Sequence, residues 1–350
     1  MLEVHERVAQ GGGRVNTGEK ESSRQPLLQV RGLRKWFRVQ KGALSRTTGY
    51  VKAVDGVDMD VEAGETVALV GESGCGKSTL GRTVIRLLSP TEGSVVFDGV
   101  DLATLNRSEL QRKRRDIQFI FQDPFASLDP RMTVGDVIAE PLDIHKICAN
   151  GTERRAKIEE IMKTVGLNPD YAGRYAHEFS GGQRQRIGIA RAIALRPKLV
   201  ICDEPVSALD VSIQAQILNL LKELQRRFGM AYLFISHDLN VVRHISDRVC
   251  VMYLGRFVES APKAELFDNP RHPYTLALLS AIPILDPRAP REKILLAGDL
   301  PSPANPPSGC HFHTRCPVVN NMNICRDRYP ETRDIGNGHL CRCHRVENLC

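Results

Sequence analysis

The chain predicts an α/β fold: a mainly parallel sheet covered on both sides by helices. Three observations carry this. A glycine loop joins an apolar strand to an amphipathic helix at Gly71–Ser78, short largely apolar runs alternate with helix-period segments, and three of those runs end in chemistry-bearing side chains. The loop, Gly71-Glu72-Ser73-Gly74-Cys75-Gly76-Lys77-Ser78, reads G-x-x-x-x-G-K-S. Glu65 to Val70 before it suits a strand buried on both faces. After it, Leu80, Val84 and Leu88 repeat at helical spacing until Ser89-Pro90, which predicts the helix end. Glycines at 71, 74 and 76 let successive N–H groups point at one anion, and the helix N-terminus adds partial positive charge. Lys77 supplies a mobile charge for terminal phosphates, and the Ser78 hydroxyl can ligate Mg²⁺. A turn that merely precedes lysine would not bring both flanks, so a nucleoside triphosphate site is expected.

The remaining elements follow in chain order. Residues 1–25 are polar and lack an apolar period, which reads as a disordered tail. Leu27 begins the folded part, and the basic, polar segment from Val39 to Tyr50 reads as a hairpin loop or flexible excursion. Strands are expected at Ile117–Phe121, Lys198–Cys202, Ala231–Ile235 and Val249–Tyr253. Between about 123 and 182 strand signals are scarce, and Ile158, Ile161, Met162 and Val165 form one stripe, so a helical subdomain is inserted there. Ile213, Ile217, Leu220, Leu221 and Leu224 mark a further helix. The boundaries are thus a tail over 1–25, a sheet domain over 26–268 and an extension over 269–350. That extension opens with seven prolines between 283 and 307, which forbid regular helix or central strand.

Bulk properties exclude little. With 350 residues, one compact core plus extensions or two domains is expected. No apolar run approaches the roughly 18 to 20 residues that cross a bilayer, and the first residues lack the apolar centre of a secretory signal, so a cytosolic location is expected. The net charge of +7 suits nucleic acid, an anionic membrane or a plain solvated surface, and decides between none of them.

Further along, Asp203 and Glu204 end the run Leu199-Val200-Ile201-Cys202, where ligands bind in open parallel sheets. Asp203 can hold Mg²⁺ through water, and Glu204 can act as general base on the attacking water. His237, after another buried run, can contact the γ-phosphate, and Gln122 at a third strand end can ligate Mg²⁺ or water. Ser180-Gly181-Gly182-Gln183 opens a helix and forms a second anion cradle. One nucleotide needs one cradle, so each site is expected to be completed by a second subunit.

Together these residues resemble the ATPase subunit of ABC transporters, in the family's order across roughly residues 27–265. Gly71–Ser78, with Thr79 after it, is similar to the Walker A motif, Gln122 to the Q-loop and Ser180–Gln183 to the signature. Asp203 matches Walker B and Glu204 its catalytic glutamate. Ser207 to Asp210 resembles the D-loop and His237 the switch histidine. Phe179 stands where a leucine usually precedes the signature serine. The resemblance implies an ABC-type P-loop fold, with an antiparallel β part, an inserted helical subdomain and a small irregular cysteine-rich extension. Asp123 to Gly135 and His272 to Pro283 resemble dipeptide and oligopeptide importers, and the 39–50 insertion their F-type subunit. That implies ATP and Mg²⁺ as ligands and a peripheral place on the cytoplasmic face of the inner membrane. The implied partners are two transmembrane permeases, a second homologous ATPase in a heterodimer and, indirectly, a periplasmic binding protein; no nucleic acid is expected. For the adenine-stacking aromatic, Phe37 aligns best, with Trp36 and Tyr50 as alternatives.

Ten cysteines include six in the tail: Cys310, Cys316, Cys325, Cys341, Cys343 and Cys350. Disulfides do not suit a reducing cytosol, so the cluster reads as metal-binding. Its spacing leaves zinc, with His311, His313 or His344, and iron–sulfur about even. The resemblance implies a 4Fe–4S cluster on Cys310, Cys316, Cys325 and Cys343, with zinc as the alternative. Cys341 falls where that pattern usually has an apolar residue, which leaves the fourth ligand open.

The functional expectation is an ATP-hydrolysing subunit that energises import of di- or oligopeptides. Its rivals are a nickel or sugar importer subunit, a non-transport ABC ATPase acting on nucleic acid or ribosomes, and a nucleotide-gated module without turnover. Neither a second cassette nor a long coiled coil is present for the non-transport rival, and Glu204 with His237 argues for turnover.

Overall fold

The computed structural model describes residues 25–41, 46–123, 127–282, 293–319 and 323–346. The tail expected over 1–25 (apart from Gln25), residues 283–292 of the proline-rich stretch, Cys350 and positions 124–126 lie outside them.

Two sheets organise the chain. The first joins β1 (Leu28–Lys41), β2 (Arg46–Val61), β4 (Glu92–Phe97) and β5 (Val100–Asp101) in the order β2-β1-β4-β5, all antiparallel. Within the segment expected as a hairpin loop or excursion, residues 39–41 and 46–50 prolong the β1–β2 ladder, with Val39 opposite Gly49 and Gln40 opposite Thr47, while 42–45 lie outside the described residues. Backbone pairing holds this ribbon while Arg38, Gln40 and Tyr50 stay exposed, so it carries no apolar alternation to read.

The second sheet has eight strands. They are β3 (Thr66–Val70), β6 (Ile117–Ile120), β7 (Leu199–Asp203), β8 (Ala231–Ile235), β9 (Arg248–Tyr253), β10 (Arg256–Pro262), β11 (Arg333–Asp334) and β12 (Leu340–Cys341), in the order β11-β12-β10-β9-β3-β8-β7-β6. From β9 to β6 every pair is parallel, while β10, β12 and β11 add an antiparallel edge. The extension therefore contributes two short strands to the sheet, because β12 pairs with β10 and β11 with β12.

Alternation along β7 and β8 separates two cores. Ile201, Leu233 and Ile235 face the antiparallel sheet and α1 (Lys77–Val84), meeting Leu28, Phe97, Leu80 and Val84. Val200, Cys202, Tyr232 and Phe234 face the opposite way, onto the helical subdomain and α6 (Val211–Phe228). With both faces covered, these strands read as continuous apolar runs. A small helix, α2 (Arg107–Lys113), precedes β6.

The subdomain comprises α3 (Val134–Ile144), α4 (Gly151–Thr164), two single turns at Pro169–Gly173 and Ala176–Glu178, and α5 (Gly181–Ile193). Thr133 and Asn150 cap α3 and α4 by accepting from the N–H groups of Asp136 and Glu153. Ile158, Met162 and Val165 are buried as the stripe predicts.

The helix after the phosphate loop ends earlier than expected. It stops at Val84, not Leu88, because Arg86 turns left-handed (φ 54°) and bonds the carbonyl of Leu105 at 2.9 Å. A third cluster joins β9 to α7 (Leu239–Ile245), α8 (Lys263–Asp268), α9 (Pro273–Ser280) and Phe312 of the extension. A last helix, α10 (Asn323–Asp327), carries Cys325. Among the described residues no helix is long and apolar enough to cross a membrane.

Candidate nucleotide site

The glycines of the phosphate loop are dictated by backbone crowding as well as by conformation. A Cβ on Gly71 (φ +151°) would lie 2.2 Å from the carbonyl oxygen of Met252, and one on Gly76 (φ +111°) 2.0 Å from that of Ala53. Both obstacles are backbone, so neither can swing aside. Gly76→Ala is accordingly expected to cost roughly 2 kcal/mol or more and to abolish nucleotide binding, checked by thermal unfolding and ATP titration. Lys77 is buried, its ammonium donating to the carbonyls of Gly71 at 2.8 Å and Glu72 at 3.0 Å. Those bonds curl the loop around a charge that phosphate oxygens can share.

Parallel strands deliver the remaining groups to the same rim, as their common direction requires. Asp203 is fully buried at the end of β7, accepting from the Ser78 hydroxyl at 2.7 Å. Its other oxygen has no hydrogen-bond partner, with the Arg82 guanidinium 3.6 Å away. Burial pushes this carboxyl pKa up, opposed by Ser78 and Arg82. A buried, half-satisfied carboxylate beside a hydroxyl is a donor set that Mg²⁺ and its water shell can complete.

Glu204 takes a left-handed conformation (φ 47°), uncommon for a residue with a side chain, and its N–H bonds Ile235 O at 3.0 Å. The kink turns its carboxylate off the strand line. There Gln122 Nε2 donates to Glu204 Oε2 at 3.0 Å, and His237 Nδ1 lies 3.1 Å from the same oxygen. Three residues far apart in sequence thus meet on one oxygen. A single cavity of about 510 Å³ is bordered by Ser73, Gly74, Gly76, Lys77, Ser78, Thr79, Gln122, Glu204 and His237.

Gly71, Glu72 and Cys75 form the back of the loop, where burial raises the Cys75 thiol pKa. Ser180–Gln183, Asp210 and Phe37 do not border this cavity. Ser180 instead caps α5, its N–H bonding Gln183 Oε1 at 3.0 Å while Gln183 N–H bonds Ser180 Oγ at 3.4 Å. Asp210 precedes α6 beside Val211, which is 82% exposed. Phe37 is exposed with the Lys35 ammonium 5.0 Å from its ring centre. Trp36 is tied to Asp55 Oδ1 at 3.2 Å and stands 6.2 Å from Tyr50. Val51, Ala53 and Pro303 also line this cavity. No sequence signal marks these, because small apolar side chains and a proline carry no chemistry of their own.

The cysteines separate into two places. Cys310, Cys316, Cys325 and Cys343 border one small cavity, with His313 and His344. Cys341 does not; it is buried in β12 opposite Glu259. The Arg345 N–H points at Cys343 Sγ, 3.4 Å away. Burial pushes Cys310 up to about 12 and Cys343 up to about 11. Among the described residues no three such donors converge as one metal ion would need.

A family model described as "ABC transporter" matches residues 54–207, the stretch that holds the phosphate loop and Asp203. Oligopeptide transport ATP-binding protein AppF of Bacillus subtilis (strain 168) is 56% identical over 326 residues, covering 92% of this chain and 98% of that protein. The chain belongs to the ABC transporter ATP-binding family. It is an ABC-type ATPase subunit, a class that works as an ATPase dimer with membrane permease partners. The family model for the C-terminal region of oligopeptide/dipeptide transporters matches residues 258–325. YkfD of the same organism, a putative oligopeptide transport ATP-binding protein, is 53% identical over 93% of this chain and 97% of its own length. Among solved structures, the post-hydrolysis dimer of the ATP-binding cassette MJ0796 bound to ADP and Pi has a TM-score of 0.61 and 31% identity, covering 67% of this chain and 98% of that one.

Proposed function

We propose that this chain hydrolyses ATP to energise import of di- and oligopeptides through a membrane permease complex, at the cytoplasmic face of the inner membrane. What carries the reading is the convergence of Lys77, Ser78, Asp203, Gln122, Glu204 and His237 on one cleft, in a chain whose C-terminal region matches peptide transporters. Lys77 and the loop N–H groups hold the phosphates. Ser78, Gln122 and Asp203 would hold Mg²⁺, which would supply positive charge to the phosphates. Glu204 accepts a proton from water as the water oxygen attacks the γ-phosphorus and the bond to ADP breaks. His237 contacts the transferred γ-phosphoryl group, and its 3.1 Å approach aims the Glu204 carboxylate.

Ser180–Gln183 and Asp210 lie away from this cleft, which supports a site completed by the signature of a second, homologous ATPase in a heterodimer. The helix N-terminus capped by Ser180 then meets the γ-phosphate of the partner's nucleotide. Adenine contacts the wall of Val51, Ala53 and Pro303 rather than Phe37. A groove beside Gln122, walled by Phe119, Phe121, Ile144 and Leu195, is suited to a permease segment, since movement there reaches Gln122 and through it Glu204. A periplasmic binding protein delivers solute to the permeases. Purification of the tagged chain from membranes in mild detergent tests the assembly: two polytopic permeases and a second ATPase are expected. Only soluble or nucleic-acid partners would overturn it.

The cysteine cavity holds a 4Fe–4S cluster on Cys310, Cys316, Cys325 and Cys343. Four thiols border one cavity, and a cluster takes one thiolate at each of its corners. When bound, such a group supplies cross-linking of the extension. Cys343→Ser is expected to lose the iron and the visible absorbance of anaerobically purified protein, and Cys341→Ser to keep both. The reverse result would reassign the fourth ligand.

A further inference from the structure

The turn between Cys310 and Cys316 faces the cysteine cavity on one side and grips the phosphate loop on the other. Its own bonds are short-range, His313 N–H to Cys310 O at 3.0 Å and Arg315 N–H to Phe312 O at 3.0 Å, while Cys310 N–H to Cys325 O at 2.8 Å ties it to α10. Phe312 is buried against Tyr253 and Tyr274, each with ring centres 5.3 Å from its own. Tyr274 Oη in turn accepts the Glu72 N–H at 2.9 Å. Arg315 forks onto both oxygens of Glu72, at 2.8 and 3.2 Å, with 9% of its side chain exposed.

Glu72 is electrostatically adverse where it stands. It puts a carboxylate in a loop built to receive a triphosphate, and Lys77 is the loop's own single cation. A bidentate guanidinium from the extension neutralises that carboxylate and fixes its direction.

We propose that Arg315 is a positioning residue for nucleotide binding: it cancels the Glu72 charge and holds the loop, so the state of the Cys310–Cys316 turn is felt as ATP affinity. This rests on the reading of the adjoining cleft as the ATP site. Because the coupling is a linkage, bound nucleotide favours the ordered turn to the same degree. The cysteine-bearing extension is then a working part of the ATPase.

The test is a double-mutant cycle on the full chain, titrated with a fluorescent ATP analogue and Mg²⁺. Arg315→Met is expected to weaken binding about tenfold in the native background and less than about twofold in a Glu72→Gln background. Arg315→Lys, which keeps the charge, recovers most of the loss. Raising salt from about 50 to about 500 mM shrinks the Arg315→Met penalty, because the unpaired Glu72 is screened. Cys316→Ser weakens binding with Glu72 present and leaves it unmoved in the Glu72→Gln background. An equal Arg315→Met loss in both backgrounds would overturn the proposal, since Arg315 would then act only by holding the extension folded. So would an unchanged affinity. Failure of the native chain to bind ATP would instead sink the reading of the cleft itself.

Discussion

With Glu204 replaced by glutamine, the chain is expected to bind ATP, accumulate as a closed dimer and turn over about 100- to 1,000-fold more slowly. Glutamine keeps the size of the side chain and an oxygen that can still accept from Gln122, now 3.0 Å from Glu204 Oε2. What it lacks is a basic carboxylate to take the proton of the attacking water. Lys77, Ser78 and Asp203 keep their contacts, because Lys77 bonds the carbonyls of Gly71 and Glu72 and Ser78 bonds Asp203 rather than Glu204. Steady-state phosphate release and nucleotide-dependent sizing check both halves. A Glu204→Gln protein turning over at the native rate would remove Glu204 as the base.

Lys77→Ala is the second large effect, and it falls on binding. The ammonium is 4% exposed and serves two carbonyls of its own loop. Removing it takes away a full charge from the phosphates and leaves those carbonyls without their donor. Charge-assisted bonds to phosphate of this kind are worth roughly 1.5 to 3 kcal/mol apiece, so a loss of about 100-fold or more in ATP affinity is expected. Equilibrium titration measures it, with thermal unfolding of the nucleotide-free chain as the control. Retained affinity would mean that the loop N–H groups hold the phosphates without Lys77.

The sequence alone determined the parts whose physics is local. The loop Gly71–Ser78 requires a strand before it and a helix after it, and both are there. Strands β6 to β9 were legible because burial on both faces makes nearly all their residues apolar, and the positions just after three of them carry Gln122, Glu204 and His237. The boundary of α1 was not legible, since Leu88 keeps the helical period while the backbone turns at Arg86. Nor was the outer end of the β1–β2 ladder, whose pairing lies in the backbone and where Arg38, Gln40 and Tyr50 are exposed.

Tertiary structure decided everything that depends on distance across the chain. Only the fold brings Gln122 and His237 to one oxygen of Glu204, and only it leaves Phe37 outside the cleft while Pro303 enters it. It also separates Cys343 from Cys341, two residues apart in sequence: β12 pairing turns Cys341 toward β10 while Cys343, past the strand, reaches the cavity of Cys310. The Arg315–Glu72 pair spans 243 positions. No motif announces it, because an arginine and a glutamate acquire a partner only when folding has removed the water between them.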